Sequence, residues 1–588
     1  MRLLYLWIRA ALWHPIRSGT ALFWLLCGKR LRAANRFSVL IEDERYRYEK
    51  WLQKHARLSE GERREIRDEI AAGSLDIVPI VLLCAVPHNT PVPLLRRTIT
   101  SLAEQFYEGW VLHLVPAGPA FELDQRDPRV QVSSAAEVAC ALGDAAYVGW
   151  LKPGDELAEH ALYLCAKQMQ TRPALIYSDE DQINRKLARR HSHFKPGWNY
   201  ELLKACDYIG GLSLLRGDYI PADIADIASW KARYGLLLAL GAAFGRGDVQ
   251  HIPAVLYHRY VSRFIGANAV RPASHGINHE EMLRAHVLGA DKHTKADVEI
   301  ADFGHIRARF SVPSPGPLVS LIIPTRDMHR LTRNCVTSIL QKSEYRNFEI
   351  LIVNNDSRQP RMLRYLQNIN THENVRVIDY PGPFNYSAIN NFAVGEAKGD
   401  YIGLINNDTE VITPGWLGEM LAQAMRPNVG AVGAKLLYGD KRIQHAGVYT
   451  GMGGLAGHGH RMLKASRPGY FFRAHLSQYV SAVTAACLVV NREKFLEVGG
   501  LDEVAFKVAF NDVDLCLKLQ AAGYDNLYHP HAVLFHFESK SRGKDLKGEK
   551  RARYLREAGA LKAKWGTDVE VDRYFNKNLS LSREDFVL

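Results

Sequence analysis

Three polar side chains at the end of a short apolar run are the part of this sequence best suited to chemistry. The run Tyr401–Ile405 predicts a buried strand, and Asn406, Asn407 and Asp408 follow it directly. In open α/β sheets, ligands bind at the carboxyl ends of the strands. Amide and carboxylate oxygens are hard ligands that suit Mg²⁺ or Mn²⁺ and a phosphate-bearing partner. The sequence therefore predicts a metal and phosphate site here, with an ordinary polar turn as the alternative.

A second candidate is a carboxylate at the start of a predicted helix. The stretch Val513–Ala522 has amphipathic spacing and ends at Gly523, so Asn511 or Asp512 would lie at a helix amino terminus. The helix dipole there favours an ionised carboxylate and keeps it available as a general base. An ordinary N-cap is the alternative interpretation.

The elements that would position these residues follow an α/β pattern. Apolar runs of strand length alternate with helical segments from Ile77 onward, which predicts parallel, doubly wound sheets. The pattern restarts after the linker signal Ser314–Pro317. Three pairs of similar segments recur in the same order, namely Val78–Cys84 with Val319–Pro324, Gly143–Asp155 with Gly399–Asp408, and His251–His258 with His529–His536. We therefore predict two copies of one fold in tandem.

The predicted organisation has five parts. An amphipathic and charged helical segment occupies residues 1–74, and a first α/β domain occupies residues 75–305. A linker at 306–317 leads into a second α/β domain at 318–545, and a basic helical tail follows at 546–588. The length of 588 residues agrees with a chain of several domains.

Composition narrows the class of protein. The 47% hydrophobic and 23% charged content is ordinary for a globular protein, and the formal charge of +12 is a modest excess for this length. None of the eight cysteines forms a C-x-x-C pair, and most lie inside apolar runs. That pattern predicts buried thiols in a reducing compartment rather than disulfides or a zinc site.

The amino-terminal stretch resembles neither a usual signal peptide nor a membrane-spanning helix. Met1–Leu31 is apolar and rich in tryptophan, but basic residues and Pro15 interrupt it. Its longest uninterrupted apolar run, Thr20–Cys27, is far shorter than the roughly 20 residues that a spanning helix needs. The composition predicts an interfacial anchor on an anionic membrane surface, with a helical extension packed on the protein as the alternative.

The second copy resembles the family 2 glycosyltransferases, which have the GT-A fold, and in particular those of bacterial cell-surface polysaccharide or O-antigen type. Motifs in the family's order carry the resemblance, namely Leu321–Arg326, Phe348–Ser357, Phe384–Asn391, Ile405–Glu410, Gln444–Gly447, Val498–Asp502, Phe510–Leu515 and His536–Ser539. The first copy resembles the same fold more faintly. The resemblance implies an α/β fold class with two GT-A-like, nucleotide-diphospho-sugar transferase domains in tandem.

The resemblance also implies a donor site. Enzymes of this family transfer a sugar from a nucleotide diphosphate to a hydroxyl group. The divalent metal, Mg²⁺ or Mn²⁺, would be held by Asp408, with His536 as a further ligand; a hydrogen-bonded structural histidine is the alternative for the latter. The expected donor-binding residues are Pro324, Thr325, Arg326, Asn355, Asn385, Asn391, Asn406 and Asn407. For Asn385 and Asn391, capping the following helix is an equal alternative.

The same resemblance makes Asp512 the expected general base, with Asp514 as the runner-up. A base on the face opposite the leaving group would give inversion at the anomeric carbon. The expected function is a metal-dependent inverting glycosyltransferase, peripheral at the inner face of the cytoplasmic membrane, that extends a glycan or lipid-linked glycan acceptor. The basic stretch Ser539–Arg553 fits a diphosphate or an anionic membrane better than nucleic acid, which we do not expect as a partner.

The first copy departs from the family at the positions that matter for catalysis. Pro153, Gly154 and Asp155 stand at its metal strand end, and Trp230–Leu240 offers no acid where the base should lie. We therefore expect a degenerate domain that serves acceptor binding or assembly. Two rival hypotheses are a synthase with two active copies and a non-catalytic scaffold that binds nucleotide sugars.

Overall fold

The structure is a computed structural model of the chain. The residues that it describes are 8, 11–12, 15–28, 33, 44–55, 57–73, 75–118, 126–143, 145–221, 226–245, 247–263, 283, 296–537 and 548–588. Strands and helices alternate through most of these residues and form two large mixed sheets in tandem. The predicted α/β fold class with two copies is therefore confirmed. The prediction of parallel sheets is wrong, because the strands at Tyr147–Leu151 and Tyr401–Ile405 each pair antiparallel with a later strand.

The amino-terminal segment contributes helices α1 (Pro15–Leu26), α2 (Glu44–His55) and α3 (Glu60–Ala71). Most of the remaining residues before α2 lie outside the described part of the chain. Helix α3 begins with a capping box between Ser59 and Glu62. Tyr48 of α2 is buried, and its hydroxyl donates to the Asp181 carboxylate at 2.5 Å. Helix α2 therefore packs on the first domain. None of the described helices is long and apolar enough to cross a membrane.

The first domain is built on a nine-stranded sheet. Its strands are β1 (Ile80–Val86), β2 (Trp110–Pro116), β3 (Val130–Val132), β4 (Tyr147–Leu151), β5 (Glu156–Leu157), β6 (Leu175–Ile183), β7 (Arg189–His193), β8 (Ser213–Arg216) and β9 (Val249–Tyr260). Its helices are α4 (Val92–Ala103), α5 (Ala135–Gly143), α6 (Ala161–Met169), α7 (Tyr200–Ala205) and α8 (Trp230–Gly241). The strand order is β3-β2-β1-β4-β8-β6-β9-β5, with β7 paired to β6.

The region predicted as a linker is partly a strand. Strands β10 (Ala296–Ile300) and β11 (Ile306–Phe310) form an antiparallel two-stranded sheet. The first five residues of the predicted linker at 306–317 thus belong to a hairpin. Their alternation of apolar and arginine residues is the period of a half-buried strand, which explains the difference.

The second domain is built on a ten-stranded sheet and a separate two-stranded one. Its strands are β12 (Val319–Thr325), β13 (Phe348–Asn354), β14 (Val375–Asp379), β15 (Tyr401–Ile405), β16 (Thr409–Val411), β17 (Val429–Leu437), β18 (Ile443–His445), β19 (Val448–Thr450), β20 (Ala456–His458), β21 (Gln478–Val480), β22 (Cys487–Asn491) and β23 (Asp525–His536). Its helices are α9 (His329–Lys342), α10 (Pro360–Ile369), α11 (Tyr386–Glu396), α12 (Trp416–Ala424), α13 (Arg492–Glu497) and α14 (Asn511–Ala521). Short 3₁₀ turns across the chain lie at Gly217–Tyr219, Asp302–Gly304, Met452–Gly454 and Tyr470–Phe472.

The two large sheets have the same topology. The order in the second is β14-β13-β12-β15-β22-β17-β23-β16, which repeats that of the first strand for strand, and β12 pairs in parallel with β13 and β15 as β1 does with β2 and β4. A glycine recurs at the same place, because Gly149 faces Leu82 and Gly403 faces Leu321 across the sheet. A Cβ atom at either glycine would come within 2.8 Å of that leucine side chain. The repeat predicted from three short segments is therefore confirmed.

The carboxyl-terminal region ties the domains together. Helix α15 (Gly548–Trp565) is followed by residues 566–588, which are not helical, so only the first part of the predicted helical tail is a helix. The backbone N–H of Thr450 in the second domain donates to Asp572 at 2.6 Å. Asn576 donates to Asp179 of the first domain at 2.8 Å. These buried polar contacts hold the last residues across both sheets.

Candidate active site

The strand ends of the second domain open into a pocket of about 370 Å³. This volume lies in the range of ordinary ligand sites. Seven of the residues predicted for donor or metal binding line it together, namely Pro324, Thr325, Arg326, Asn355, Asn406, Asn407 and Asp408. They come from the carboxyl ends of three adjacent parallel strands, β13, β12 and β15, which explains why residues so far apart in sequence meet.

Asp408 and His536 form a pair at the edge of this pocket. The Nε2 atom of His536 lies 3.1 Å from Oδ1 of Asp408, and both side chains are buried. Strand β16 places them together because Thr409 pairs with His536 in an antiparallel register with β23. Among the described residues no group of three or more histidine, cysteine or acidic side chains could hold a metal, so only these two candidate ligands meet here.

Two amides orient the imidazole of His536. Oε1 of Gln444 lies 2.7 Å from Nδ1, and Nδ2 of Asn406 lies 3.2 Å from Nε2. A hydrogen on Nδ1, donated to Gln444, leaves the lone pair of Nε2 directed towards Asp408 and Asn406. A carboxylate oxygen and an imidazole lone pair then face the same point. This donor set suits a divalent cation, and the glutamine is the kind of outer partner that metal-binding histidines use.

Asn407 has a positioning role. Its Nδ2 donates to Oγ1 of Thr325 at 2.9 Å and to Oγ1 of Thr332 at 3.3 Å, and all three side chains are buried. The amide therefore links the end of β15 to the first turn of the β12–α9 connection. It fixes the pocket wall, although it also lines the pocket.

Asn355 presents an acceptor to the pocket. Its Nδ2 donates to the carbonyl oxygens of Tyr380 and Gly382, each at 3.0 Å. Its Oδ1 is buried and has no hydrogen-bond partner among the described residues. Since a buried acceptor without a partner is costly, this oxygen suits a donor group on a bound ligand.

Asn385 and Asn391 are not brought to the pocket. Oδ1 of Asn385 caps α11 by accepting from the Ala388 N–H at 3.2 Å, so the capping alternative describes it. The Asn391 side chain donates to the Leu501 carbonyl at 2.7 Å and accepts from the Leu501 N–H at 2.9 Å. These contacts bind α11 to the Gly499–Leu501 turn and leave neither side chain facing the donor pocket.

Asp512 lies in the first turn of α14, beside the pocket rather than in its wall. Its Oδ2 accepts from the Ala485 N–H at 3.1 Å, and Val508, four residues earlier, lines the pocket. Burial raises the pKa of Asp512 above its ordinary value, while hydrogen bonds from the Ala485 backbone and the Thr484 side chain act in the opposite direction. The upward shift brings the pKa of the carboxylate closer to neutral pH, where a general base is most effective.

Asp514 points away from the pocket and is fully buried. Lys564 lies 2.8 Å from its Oδ1, and the Trp565 indole N–H donates to the same atom at 2.8 Å. Both partners belong to the end of α15. Asp514 therefore anchors the carboxyl-terminal helix, and the geometry favours Asp512 over it as the base.

Helix α15 reaches the site at two further points. Lys550 and Arg553, near its start, line the same pocket as Arg326 and Asp408. Glu557 accepts from the backbone N–H groups of Val508 and Ala509, at 3.2 and 2.8 Å, and fixes the loop before Asp512. The sequence showed this basic cluster but could not place it, because the predicted boundary at residue 545 separated it from the domain that it completes.

The model of the family described as "Glycosyl transferase family 2" matches residues 320–499. This span includes the strand ends, the Asp408 motif and the Gln444 segment described above. Residues 320–499 belong to glycosyl transferase family 2. We call the second domain the transferase domain from here on.

Two relatives extend along most of the chain. Protein y4gI of Sinorhizobium fredii is 39% identical over 539 residues, which cover 87% of this chain and 58% of that protein. The O-antigen biosynthesis protein RfbC of Myxococcus xanthus is 32% identical over 542 residues, which cover 88% of this chain and 41% of that protein. The chain thus spans about half the length of the curated relatives that it matches. The likeness covers the first domain as well as the transferase domain.

A solved structure of a Pyrobaculum calidifontis mannosyltransferase, in complex with GDP-Man and Mn²⁺, is also similar to part of the chain. The TM-score is 0.33 and the identity 18%, over 45% of this chain and 69% of that one. This low likeness adds no argument to the geometry of the transferase domain.

Proposed function

We propose that the transferase domain is a metal-dependent, inverting glycosyltransferase that moves a sugar from a nucleotide-diphosphate donor to a hydroxyl of a growing, lipid-linked cell-surface polysaccharide. The observation that carries the proposal is one pocket that joins the Asp408–His536 pair to the unpartnered acceptor of Asn355. The similarity to an O-antigen biosynthesis protein supports the polysaccharide class of acceptor.

Asp408 and His536 would hold the divalent cation, Mg²⁺ or Mn²⁺. A bound cation would stabilise the negative charge that develops on the departing diphosphate. With one carboxylate and one imidazole from the protein, phosphate oxygens of the donor would complete the shell, which is a common way of holding Mg²⁺. Gln444 keeps the Nε2 lone pair of His536 available for this purpose.

Basic side chains would share the charge of the diphosphate. Arg326, Lys550 and Arg553 all line the pocket, and Arg326 is exposed to solvent. Guanidinium groups bind phosphate oxygens in pairs, whereas lysine acts as a point charge. Because two of these cations come from α15, the carboxyl-terminal helix would belong to the catalytic unit.

Asp512 would accept the proton of the attacking hydroxyl. Its raised pKa and its place beside the pocket support this assignment. Attack by the acceptor on the face opposite the leaving diphosphate would invert the anomeric carbon in a single displacement. Glu557 and the Val508–Ala509 backbone hold the base in position.

A peripheral position on the inner face of the cytoplasmic membrane would bring the domain to a lipid-linked acceptor. Helix α1 exposes Leu22, Phe23 and Leu26, which are 50, 48 and 80% accessible, while Ala21 is buried. We expect Leu22→Glu with Phe23→Glu to weaken sedimentation with vesicles of anionic phospholipid. The matched control is Leu187→Glu, which changes a side chain of 66% accessibility in the first domain. Equal sedimentation of the double variant and the control would contradict the anchor.

The transfer reaction is tested with purified protein and a panel of nucleotide sugars, with Mn²⁺ or with a chelator. We expect one donor to raise the melting temperature and to release its nucleoside diphosphate in a metal-dependent manner. Arg326→Ala should bind that donor about tenfold more weakly, the loss of one charge-assisted contact. Arg330→Ala, an exposed change one turn away, should not. Binding without release would favour the scaffold, and absence of both would contradict the proposal.

A further inference from the structure

A second cavity lies between the first domain and the transferase domain, and it shares no lining residue with the donor pocket. Its volume is about 60 Å³, which corresponds to roughly four to six water molecules. The side chains that define its chemistry are Asp207, Tyr208, Trp230 and Arg259 of the first domain and Phe471 and Arg473 of the transferase domain. The cavity is thus closed by a loop that reaches across from the neighbouring domain.

The carboxylates at this cavity already have cationic partners. Glu180 lies 3.1 Å from the Lys195 ammonium, and Asp181 lies 2.6 Å from the Arg189 guanidinium. The third lining carboxylate, Asp207, is paired in the same way with the buried guanidinium of Arg233. Each of these three carboxylates therefore has a cationic partner other than Arg259 and Arg473.

Arg259 and Arg473 are the surplus charges. Among the described residues Arg259 has neither an ion pair nor a hydrogen bond. The residue is half-buried, and its Nε is buried without a partner. Arg473 is 1% accessible; its Nε donates to Gln478 and one Nη to Tyr449, while its Nη1 is buried without a partner in the described part of the chain. A buried N–H group without a partner is costly. Two such groups, Nε of Arg259 and Nη1 of Arg473, are unmatched donors on cationic side chains at one small cavity, which suits an anion.

The backbone of the closing loop is held in an unfavourable conformation. Phe471 and Phe472 both have positive φ, at 45° and 63°, a region that is unfavourable for residues with a side chain. The contact that this conformation makes is specific, because the Phe471 ring stacks on His193 at 3.7 Å between centroids. Strain of this kind persists where the surrounding structure needs the geometry, as ligand clamps do. Here it brings an aromatic face and Arg473 to the cavity.

We propose that this cavity binds an oxyanion, a carboxylate or a phosphate, that is carried on a saccharide, with Arg259 and Arg473 as its ligands and Trp230 and Phe471 in the cavity wall. Guanidinium groups match both anions through paired N–H donors. The volume suits one such group rather than a whole sugar ring, which would extend towards the cavity mouth. The site assigns the first domain a binding role that does not require the transfer reaction, so its test is independent of catalysis.

Binding is measured by calorimetry on the full chain, with glucuronate, glucose 1-phosphate, inorganic phosphate and glucose as separate ligands. We expect at least one charged sugar to bind with one site per chain and glucose to bind at least tenfold more weakly. Preference for glucuronate would assign the site to a carboxylate, and preference for glucose 1-phosphate to a phosphate. Phosphate alone binding as tightly as its sugar ester would remove the saccharide from the proposal. No binding by any anion would overturn it.

Variants locate the binding in this cavity. Arg259→Gln should lose at least tenfold in affinity, and Arg259→Lys should lie between it and the unchanged protein. Arg96→Ala, an exposed change in the first domain, and Arg326→Ala, in the donor pocket, should bind as the unchanged protein does. A charged sugar that binds Arg259→Gln with full affinity, or that is lost in Arg326→Ala, would contradict the assignment.

Melting of the ligand-free protein separates this role from a structural one. Because Arg259 makes no ion pair or hydrogen bond among the described residues, Arg259→Gln should leave the melting temperature unchanged. A structural arginine would instead give a lower melting temperature together with the weaker binding. That combination would overturn the proposal.

Discussion

The two domains share one strand order, but the acid at the same strand end has different partners in each. In the transferase domain Asp408 faces the imidazole of His536 at 3.1 Å and lines an open pocket. In the first domain the matching residue, Asp155, is buried and accepts hydrogen bonds from the Tyr257 hydroxyl and, at 2.8 Å, from the Tyr260 backbone N–H. The histidine that matches His536 is His258, which is bound to Asp181 at 2.8 Å instead.

The backbone does not account for this difference. Glu156 pairs with His258 as Thr409 pairs with His536, so both sheets bring the acid and the histidine to the same register. What differs is which side chains reach the carboxylate. In the first domain two tyrosine residues donate to the acid, and in the transferase domain the histidine of the late strand faces it. Duplication of a fold therefore preserves the place of a site without preserving its chemistry.

The helices that follow show the same contrast. Helix α14 carries Asp512 and Asp514 in its first turn, whereas the first turn of its counterpart α8, which begins at Trp230, contains no acid. Trp230 instead lines the cavity between the domains.

The largest expected effect comes from removing the proposed base. Asp512→Asn should lower kcat by about 10²–10⁴-fold, the usual contribution of general base catalysis. Burial disfavours the charged form of Asp512, so the variant should melt no lower than the unchanged protein. Initial rates of nucleoside diphosphate release measure the effect, with Asp218→Asn, an exposed acid of the first domain, as control. A rate close to that of the unchanged protein would remove Asp512 from the mechanism.

The matched acids of the two strand ends test the comparison directly. Asp408→Asn should reduce transfer by about 10²–10³-fold, the size of effect seen when one electrostatic contact to a developing charge is removed. Asp155→Asn should leave transfer unchanged, since Asp155 contacts only protein groups among the described residues. Transfer that survives Asp408→Asn but is lost in Asp155→Asn would favour a synthase whose first copy is active.

Gln444 offers a smaller and more specific perturbation. Gln444→Leu removes the acceptor that fixes the His536 tautomer and should weaken metal affinity about 10–100-fold. Activity should therefore return at high Mn²⁺, which a folding defect would not allow. Gln359→Leu, an exposed change at the start of α10, serves as control. Loss of activity that added metal does not restore would contradict the positioning role.

The pKa of Asp155 predicts that the stability of the first domain depends on pH. Burial raises its pKa from 3.8 to about 6, so the folded state holds a proton that the unfolded state has lost. The contribution to stability is present below pH 4 and falls as pH rises towards 6, by up to about 3 kcal/mol. The melting temperature of the unchanged protein relative to Asp155→Asn should fall over this range. A difference that stays constant with pH would show that Asp155 does not hold the proton.

Sequence reasoning located the donor pocket because its parts follow strand ends. Pro324, Asn355 and Asp408 each come directly after an apolar run, and parallel strands bring such positions to one edge. The repeat supplied the place of His536, which follows a late strand of each copy. Local pattern predicted the strand end at Asn406, Asn407 and Asp408. The resemblance to family 2 glycosyltransferases supplied the other pocket-lining residues and the expected ligand role of His536.

The remaining parts depend on partners that lie far along the chain. Asp514 resembles Asp512 in sequence, but Lys564 and Trp565 bind its carboxylate from a helix about fifty residues later. Asn391 is bound by the turn at Leu501, and the cavity of Arg259 is closed by Phe471 of another domain. Neither spacing nor periodicity carries information on such contacts, because each depends on how separate elements pack.

The central claim is that one strand end holds a cation and its counterpart does not. Calorimetric or electron paramagnetic resonance titration with Mn²⁺, in the presence of a nucleoside diphosphate, counts the bound ions. We predict one ion per chain, lost in His536→Gln and retained in His258→Gln. Two ions per chain, or one ion that survives His536→Gln but is lost in His258→Gln, would contradict the account.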